Sequence, residues 1–300
     1  MMDWRAVAMG LGFSLMWSSA FATARVIVAD APPLYALACR FALSGLLAVA
    51  VARAMGQGWR LGRGQARSVV AFGLLQNTAY LGLNFVAMQW VEASLAVIVA
   101  ASMPLIVAGL GWALGRERLG PLASLGMVAG FLGVALIMGT RVRGGADPLG
   151  VALCVAGAVA LAVATLTLRG AAGADRAGGI KAVLMVVGLQ MLVGSAALFG
   201  LAALFEVPHL RPSPALAAAF AYQLLVPGLA ATLVWFVLVG RIGAVRAATF
   251  HFLNPFFGVV IAALLLGERT GPLDLLGVAV VAGGILAVQL GRSSPVKPAA

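Results

Sequence analysis

Residues 104–122 read PLIVAGLGWALGRERLGPL, and residues 255–273 read PFFGVVIAALLLGERTGPL. Pro104 and Pro255, Glu117 and Glu268, Arg118 and Arg269, Gly120 and Gly271, Pro121 and Pro272 all stand 151 apart. Phe85/Phe236, Gly126/Gly277 and Gly133/Gly284 keep the same offset without a gap. A match of this length without insertions means that the two halves repeat one structural unit. Each copy is an apolar helix with an internal proline, a short charged turn ending in Gly-Pro, and a second glycine-rich apolar helix. The turn has no room for a domain, so the two helices are expected to be antiparallel neighbours.

The solvent of these helices follows from composition. The chain of 300 residues is 63% hydrophobic and only 10% charged, with a mean hydropathy of +1.07. A soluble protein of this size could not bury so much apolar surface, so the bilayer is the solvent for most of it. The formal net charge of +11 is dispersed through loops, which is the pattern of a membrane protein and not of a nucleic-acid binder. Cys39 and Cys154 lie in apolar spans of opposite halves without metal-ligand spacing, and both are read as small core residues. The first apolar segment is long enough to span and lacks a short-core A-x-A cleavage pattern. It is expected to be the first helix and not a removed signal.

About 20 apolar residues make a span, and the chain supplies ten. The expected spans are 5–28, 33–54, 66–88, 93–115, 120–139, 148–168, 180–204, 215–238, 244–266 and 271–290. Glycine, proline and charge mark the connections, and the tail from 291 to 300 is expected to be disordered. With both termini cytoplasmic, 14 Lys and Arg residues lie inside and four outside, which sets the orientation. The halves 1–140 and 148–290 then hold five spans each. Five is odd, so the second copy enters the membrane in the opposite sense. Inverted repeats of this kind surround a site near the midplane that rocking opens to either side. The expected fold is an all-α integral membrane protein with a five-plus-five inverted-topology repeat around a central cavity.

Ten spans in this arrangement resemble the drug/metabolite transporter superfamily in its EamA-type branch. WSSAF at 17–21, LACRF at 37–41 and GERTGP at 267–272 carry the resemblance, which covers nearly the whole chain. Within the branch the chain looks most like bacterial aromatic amino-acid exporters of the YddG type. The resemblance implies inner-membrane export of Phe, Tyr, Trp or related compounds through a central cavity.

Polar side chains inside a bilayer are costly and usually face protein or water. In the third span Gln76, Tyr80 and Asn84 fall at i, i+4 and i+8 with Asn77 alongside, one helical stripe. Interhelical hydrogen bonding accounts for one such residue. Four on one stripe favour a cavity wall. Trp17 and Ser18 lie near the middle of the first span, where an indole N–H needs a partner or a cavity. The eighth span adds Tyr222, Gln223, Thr232 and Trp235, of which Tyr222 and Trp235 read equally well as interfacial belt residues.

The ninth span reads AATFHFLNPFF at 247–257. His251 and Asn254 are three apart on one face, with Thr249 nearby. Pro255 removes the hydrogen bond to the His251 carbonyl, leaving a polar focus among phenylalanines. By the offset of 151, Ser102 and Pro104 hold matching places in the fourth span, and Pro104 frees the Ala100 carbonyl. Pro104 and Pro255 are expected hinges. Arg40 has two readings: its stem can snorkel outward, or its guanidinium can attract a carboxylate. The resemblance implies a general structural role for the Arg40-Phe41 pair. Glu117 and Glu268 are expected to fix their turns as ion pairs with Arg118 and Arg269. Gly126-x-x-x-Gly130 and Ala279-x-x-x-Gly283 are small-residue faces for close packing, within the chain or across a dimer.

The site residues expected to line the cavity are therefore Trp17, Ser18, Gln76, Asn77, Tyr80, Asn84, Ser102, Thr232, Trp235, Thr249, His251 and Asn254. No Gly-x-Ser-x-Gly, Asp pair, His-Glu-x-x-His or phosphate loop points to an enzyme. A scaffold or receptor has no need of an inverted repeat. No cofactor or metal is expected. The expected partners are a small-molecule substrate and the lipid bilayer, with no nucleic acid. A monomer is expected, with a homodimer as the alternative. The function expected is export of aromatic amino acids and related amphipathic metabolites by a uniporter or exchanger. The alternative is a broader drug or threonine-type exporter, with proton coupling through His251 as the rival mechanism.

Overall fold

The computed structural model describes residues 3–114, 119–168, 179–243, 247 and 249–291. Its regular elements are helices: α1 Trp4–Asp30, α2 Pro33–Ala54, α3 Arg63–Ala87, α4 Ala93–Ala113, α5 Pro121–Arg143, α6 Pro148–Leu168, α7 Gly179–Phe205, α8 Pro214–Ile242, α9 Phe250–Leu266 and α10 Pro272–Leu290. Among the described residues, all but α9 are long and apolar enough to cross a membrane; α9 is a shorter apolar helix. Residues 244–246 and 248, the expected start of α9, lie outside the described residues, as do the turn at 115–118 with Glu117 and the tail from 292 onward.

Local chemistry sets most of the boundaries. Pro33, Pro121, Pro148, Pro214 and Pro272 each open a helix. Proline suits a first position because its missing N–H would have no intrahelical partner there and its φ is preset. Proline inside a span has the opposite effect. The fourth span breaks into Ala93–Ala101 and Met103–Ala113, just before Pro104. The ninth passes through a 3₁₀ turn, Phe250–Leu253, and is α-helical from Asn254. The expected free carbonyl of His251 is not free, because the 3₁₀ turn brings the Asn254 N–H onto it.

A second pair of irregularities was not expected. Gly73–Tyr80 in α3 and Val226–Ala230 in α8 are π-helical. In each the closing N–H reaches back five residues, from Leu81 to Gln76 and from Ala231 to Val226. The offset of 151 places the second segment inside the first, so the π turns are repeat-equivalent. Such turns add a residue per turn, rotate the side chains that follow, and gather at functional sites.

The packing follows the repeat. α2 runs along α7 and α5 along α10, each helix meeting its own counterpart; α4 and α9 also touch. α1 packs on α8 and α9 as α6 packs on α3 and α4. The α5–α10 seam crosses over between equivalent glycines. A Cβ on Gly126 would lie 2.9 Å from the Gly284 carbonyl oxygen, and one on Gly284 2.6 Å from that of Gly126. Gly133 and Gly277 oppose each other in the same way, at 3.1 and 3.3 Å. Gly45 of α2 and Gly188 of α7 do so at 2.9 Å in both directions. In lipid no hydrophobic force drives helices together, so close backbone approach supplies the dispersion energy. Gly130 belongs to this seam, but Ala279 and Gly283 do not: both are exposed, one helical face away from Gly277 and Gly284.

On the face where α1 ends, carboxylates tie the repeats together. Glu206 accepts the backbone N–H groups of Leu34 and Tyr35 at 2.8 and 3.0 Å, capping α2. Glu268 accepts those of Ala93 and Ser94 at 2.7 and 3.0 Å, capping α4. Glu268 is thus a cap across the repeats and not the expected ion-pair partner of Arg269. Asp30 accepts from Ser213 at 2.7 Å. Arg141 pairs with Glu92 and, at 3.1 Å, with Asp274. Burial pushes the Glu92 carboxyl above its ordinary range, against the pull of Arg141. On the opposite face the Arg241 guanidinium, 2.6 Å from Asp3, holds that carboxyl below its ordinary range. The Glu92 pair therefore weakens first as pH falls.

The glycine seam is testable by thermal unfolding in detergent. Gly284→Val forces a side chain against backbone and is expected to cost roughly 1–3 kcal/mol. Gly283→Val, one residue away on the lipid side, is expected to leave the melting temperature within the error of wild type. Equal losses would place the seam elsewhere.

Candidate functional site

A small, partly open cavity lies between α1, α2, α3, α7 and α8. It measures about 70 Å³, room for a few waters. One part of its wall is polar: Arg40 of α2, Gln76, Asn77, Tyr80 and Asn84 of α3, Gln223 and Thr232 of α8. The rest is apolar and includes the rings of Trp17, Phe21, Phe41 and Phe85 beside Met88 and Met191. The π turn of α3 delivers Gln76, Asn77 and Tyr80 to the polar wall, whereas that of α8 brings only Pro227 and Gly228 to the cavity.

The amides divide their work between wall and packing. The Asn77 amide donates to the Gln190 carbonyl of α7 at 2.9 Å, the interhelical bond expected of a lone membrane asparagine. Asn84 donates to the Tyr80 carbonyl at 2.8 Å and leaves its Oδ1 without a partner. Gln223, fully buried, donates to the Ala20 carbonyl of α1 at 2.6 Å and leaves its Oε1 without one. Arg40 is only 6% exposed. It does not snorkel outward, and its guanidinium lies 5.0 Å from the Phe41 ring.

Of the expected site residues, Trp17, Gln76, Asn77, Tyr80, Asn84 and Thr232 meet in this cavity. Trp235, His251 and Asn254 form a second cluster with Phe13 and α1. The His251 ring lies 5.2 Å from Phe13, 5.1 Å from Trp235 and 6.3 Å from Trp17. Asn254 Nδ2 is 3.0 Å from His251 Nδ1. Ser14 and Ser18 of α1 donate to the carbonyls of Phe250 and Asn254 at 2.8 and 3.2 Å, pinning the broken start of α9. Trp17 belongs to both groups and forms the wall between them. Ser102 lines neither, because its hydroxyl turns back to the Val99 carbonyl at 2.6 Å. Thr249, half-buried, is outside the cavity wall as well. α2 and α7 thus contribute where α4 and α9 were expected.

Two residues of the wall, Arg40 and Gln223, were visible in the sequence but not expected there. Their signal was the same as for the others, a polar group deep in an apolar span. A larger open groove of about 570 Å³ runs along Ala31, Tyr35, Cys39, Pro208, Leu216 and Phe220. Its lining is almost wholly apolar, and it exposes Cys39, which is therefore not a core residue; Cys154 is one. Lacking convergent polar groups, the groove makes a weaker candidate for a specific site. No group of three or more His, Cys, Asp and Glu suited to a metal occurs among the described residues.

The EamA-like transporter family matches the chain twice, over residues 4–139 and 148–290. The uncharacterized transporter YdeK of Bacillus subtilis (strain 168) is 28% identical over 265 residues, covering 86% of this chain and 87% of its own. The uncharacterized transporter YvbV of the same organism is 26% identical over 256 residues, covering 85% and 81%. A solved crystal structure 22% identical to the chain aligns over 96% of it and 98% of its own length, with a TM-score of 0.68, so the fold is shared.

The division between wall and packing is testable in one series of variants. Asn77→Leu removes the α3–α7 bond and is expected to lower the unfolding free energy by about 1 kcal/mol. Gln223→Leu and Asn84→Leu are expected to cut transport several-fold at normal abundance, as measured by flux and by quantitation in the membrane. The opposite pattern would exchange the roles.

Proposed function

The chain belongs to the EamA-like transporter family, and we propose that it exports small amphipathic metabolites, aromatic amino acids first, by alternating access. The observation that carries this reading is the cavity between the repeats, polar on one part of its wall and aromatic on the other. A zwitterion with a ring needs both. At about 70 Å³ the cavity is contracted, so loading requires the repeats to part. The proposed hinges are Pro104 and Pro255, where α4 and α9 already break. The carboxylate clips on the α1 C-terminal face then open and reform, and the Phe13, Trp235 and His251 cluster yields on the other.

On this reading both termini lie on the cytoplasmic side of a bacterial inner membrane, with repeats 1–140 and 148–290 in one monomer; the excess of Lys and Arg on that side supports it. Transport runs down the substrate's own gradient. Support comes from the wall itself, which has no carboxylate among its residues. Proton-coupled carriers typically keep a titratable acid within the membrane. His251, the rival coupling group, is packed among rings beside the cavity and not in its wall.

Proteoliposome flux with a panel of amino acids, with and without an imposed pH gradient, tests this reading. Downhill flux of phenylalanine, tyrosine or tryptophan, without uphill accumulation, is expected. Flux confined to threonine or to cationic drugs would replace the substrate assignment. Accumulation driven by the pH gradient and abolished in His251→Gln would install the rival mechanism. For the hinge, Pro255→Ala is expected to shift cysteine accessibility between the two membrane sides more than it alters affinity.

A further inference from the structure

The cavity holds a charge that no acid among the described residues answers. Arg40 is buried seven residues into α2, and its Nε has no hydrogen-bond partner. No salt bridge reaches it among the described residues. The carboxylates that could neutralise it are held elsewhere. Asp30 accepts from Ser213, Glu206 caps α2, and Glu268 caps α4. Glu92 and Asp274 share Arg141. Asp3 pairs with Arg241, and Asp147 accepts the Leu149 N–H at 2.7 Å. The Phe41 ring offers only a cation–π contact. An isolated guanidinium inside a span is costly and marks a functional site by default.

We propose that Arg40 anchors the carboxylate of the transported molecule, so that the cargo is an organic acid or amino acid and not a neutral or cationic compound. The inference rests on reading the cavity as the substrate site. A planar guanidinium binds a carboxylate through paired N–H groups, and burial strengthens the contact. Gly228 lies beside the guanidinium: a Cβ there would stand 3.8 Å from Arg40 Nη2, in ordinary contact. The wall also leaves two acceptors unanswered, Gln223 Oε1 and Asn84 Oδ1. Both suit an ammonium group. One orphan cationic donor and two orphan acceptors complement an α-amino acid, with Trp17, Phe21 and Phe85 left for an apolar side chain.

The test uses the purified full chain in detergent and matched probes: phenylalanine, phenylalaninamide, phenethylamine and 3-phenylpropionate, together with threonine and threoninamide. Binding is read by calorimetry or thermal shift. Wild type is expected to prefer the acid over its amide by roughly 10- to 100-fold, the scale of a charged hydrogen bond. Arg40→Gln is expected to erase that preference by weakening the acid alone, and Arg40→Lys to restore part of it. Equal affinity of wild type for acid and amide, or a preference that survives Arg40→Gln, overturns the proposal, as does binding of amides or amines alone or of no probe. If Arg40→Gln does not fold, the wild-type ratio and the lysine variant decide. Acid preference in the threonine pair with no binding of the aromatic probes keeps the anchor and discards the aromatic substrate. Preference in binding without flux in liposomes keeps the anchor and discards the transport reading.

Discussion

Backbone contact at glycine holds the two halves together, and the remaining features depend on it. Gly126 facing Gly284 and Gly133 facing Gly277 put α5 and α10 at carbonyl distance, and Gly45 facing Gly188 does the same for α2 and α7. Because the opposed glycines of the first seam are repeat-equivalent in crossed order, that seam has the local form of a twofold axis. Without a hydrophobic drive inside lipid, this intimacy is what keeps ten apolar helices in one arrangement. It leaves α1, α3 and α8 to enclose the cavity beside α2 and α7.

The pseudo-symmetry ends at the cavity, and the chemistry begins there. The π turns of α3 and α8 coincide under the repeat, yet Gln76 answers to Pro227, Asn77 to Gly228 and Tyr80 to Ala231. One copy supplies amides and a phenol; the other supplies space. The same divergence sets His251 against Ala100 in the broken helices. The scaffold thus keeps the symmetry of the repeat while the cavity wall departs from it, so that the two ends of an unsymmetrical molecule would meet different groups there.

Polar groups in a bilayer have no water to fall back on, and the fold answers this with long-range partners. Glu206 and Glu268 cap helices of the other repeat, and Ser14 and Ser18 hold carbonyls of α9. Among the buried polar atoms left without a partner, those of Arg40, Asn84 and Gln223 stand together in one cavity.

The sequence by itself determined the spans, the repeat and the breaks. Apolar length, proline at helix starts and proline within a span act locally, so α2 and α6 fall where expected and α4 and α9 break at Pro104 and Pro255. It also set Gln76, Asn77, Tyr80 and Asn84 on one stripe, and the structure lines one cavity with all four. Tertiary structure decided which face of each helix meets which neighbour. Helical spacing relates residues on one helix but leaves its rotation free, so Gly277 and Gly284, and not Ala279 and Gly283, became the seam. A π turn shifts that rotation again with no motif to announce it in α3. Whether Glu268 met Arg269 or the end of α4 depended on a group far away in sequence, Ala93 across 175 residues. Nothing in a local pattern can carry such a pairing, because it exists only once the two repeats have docked.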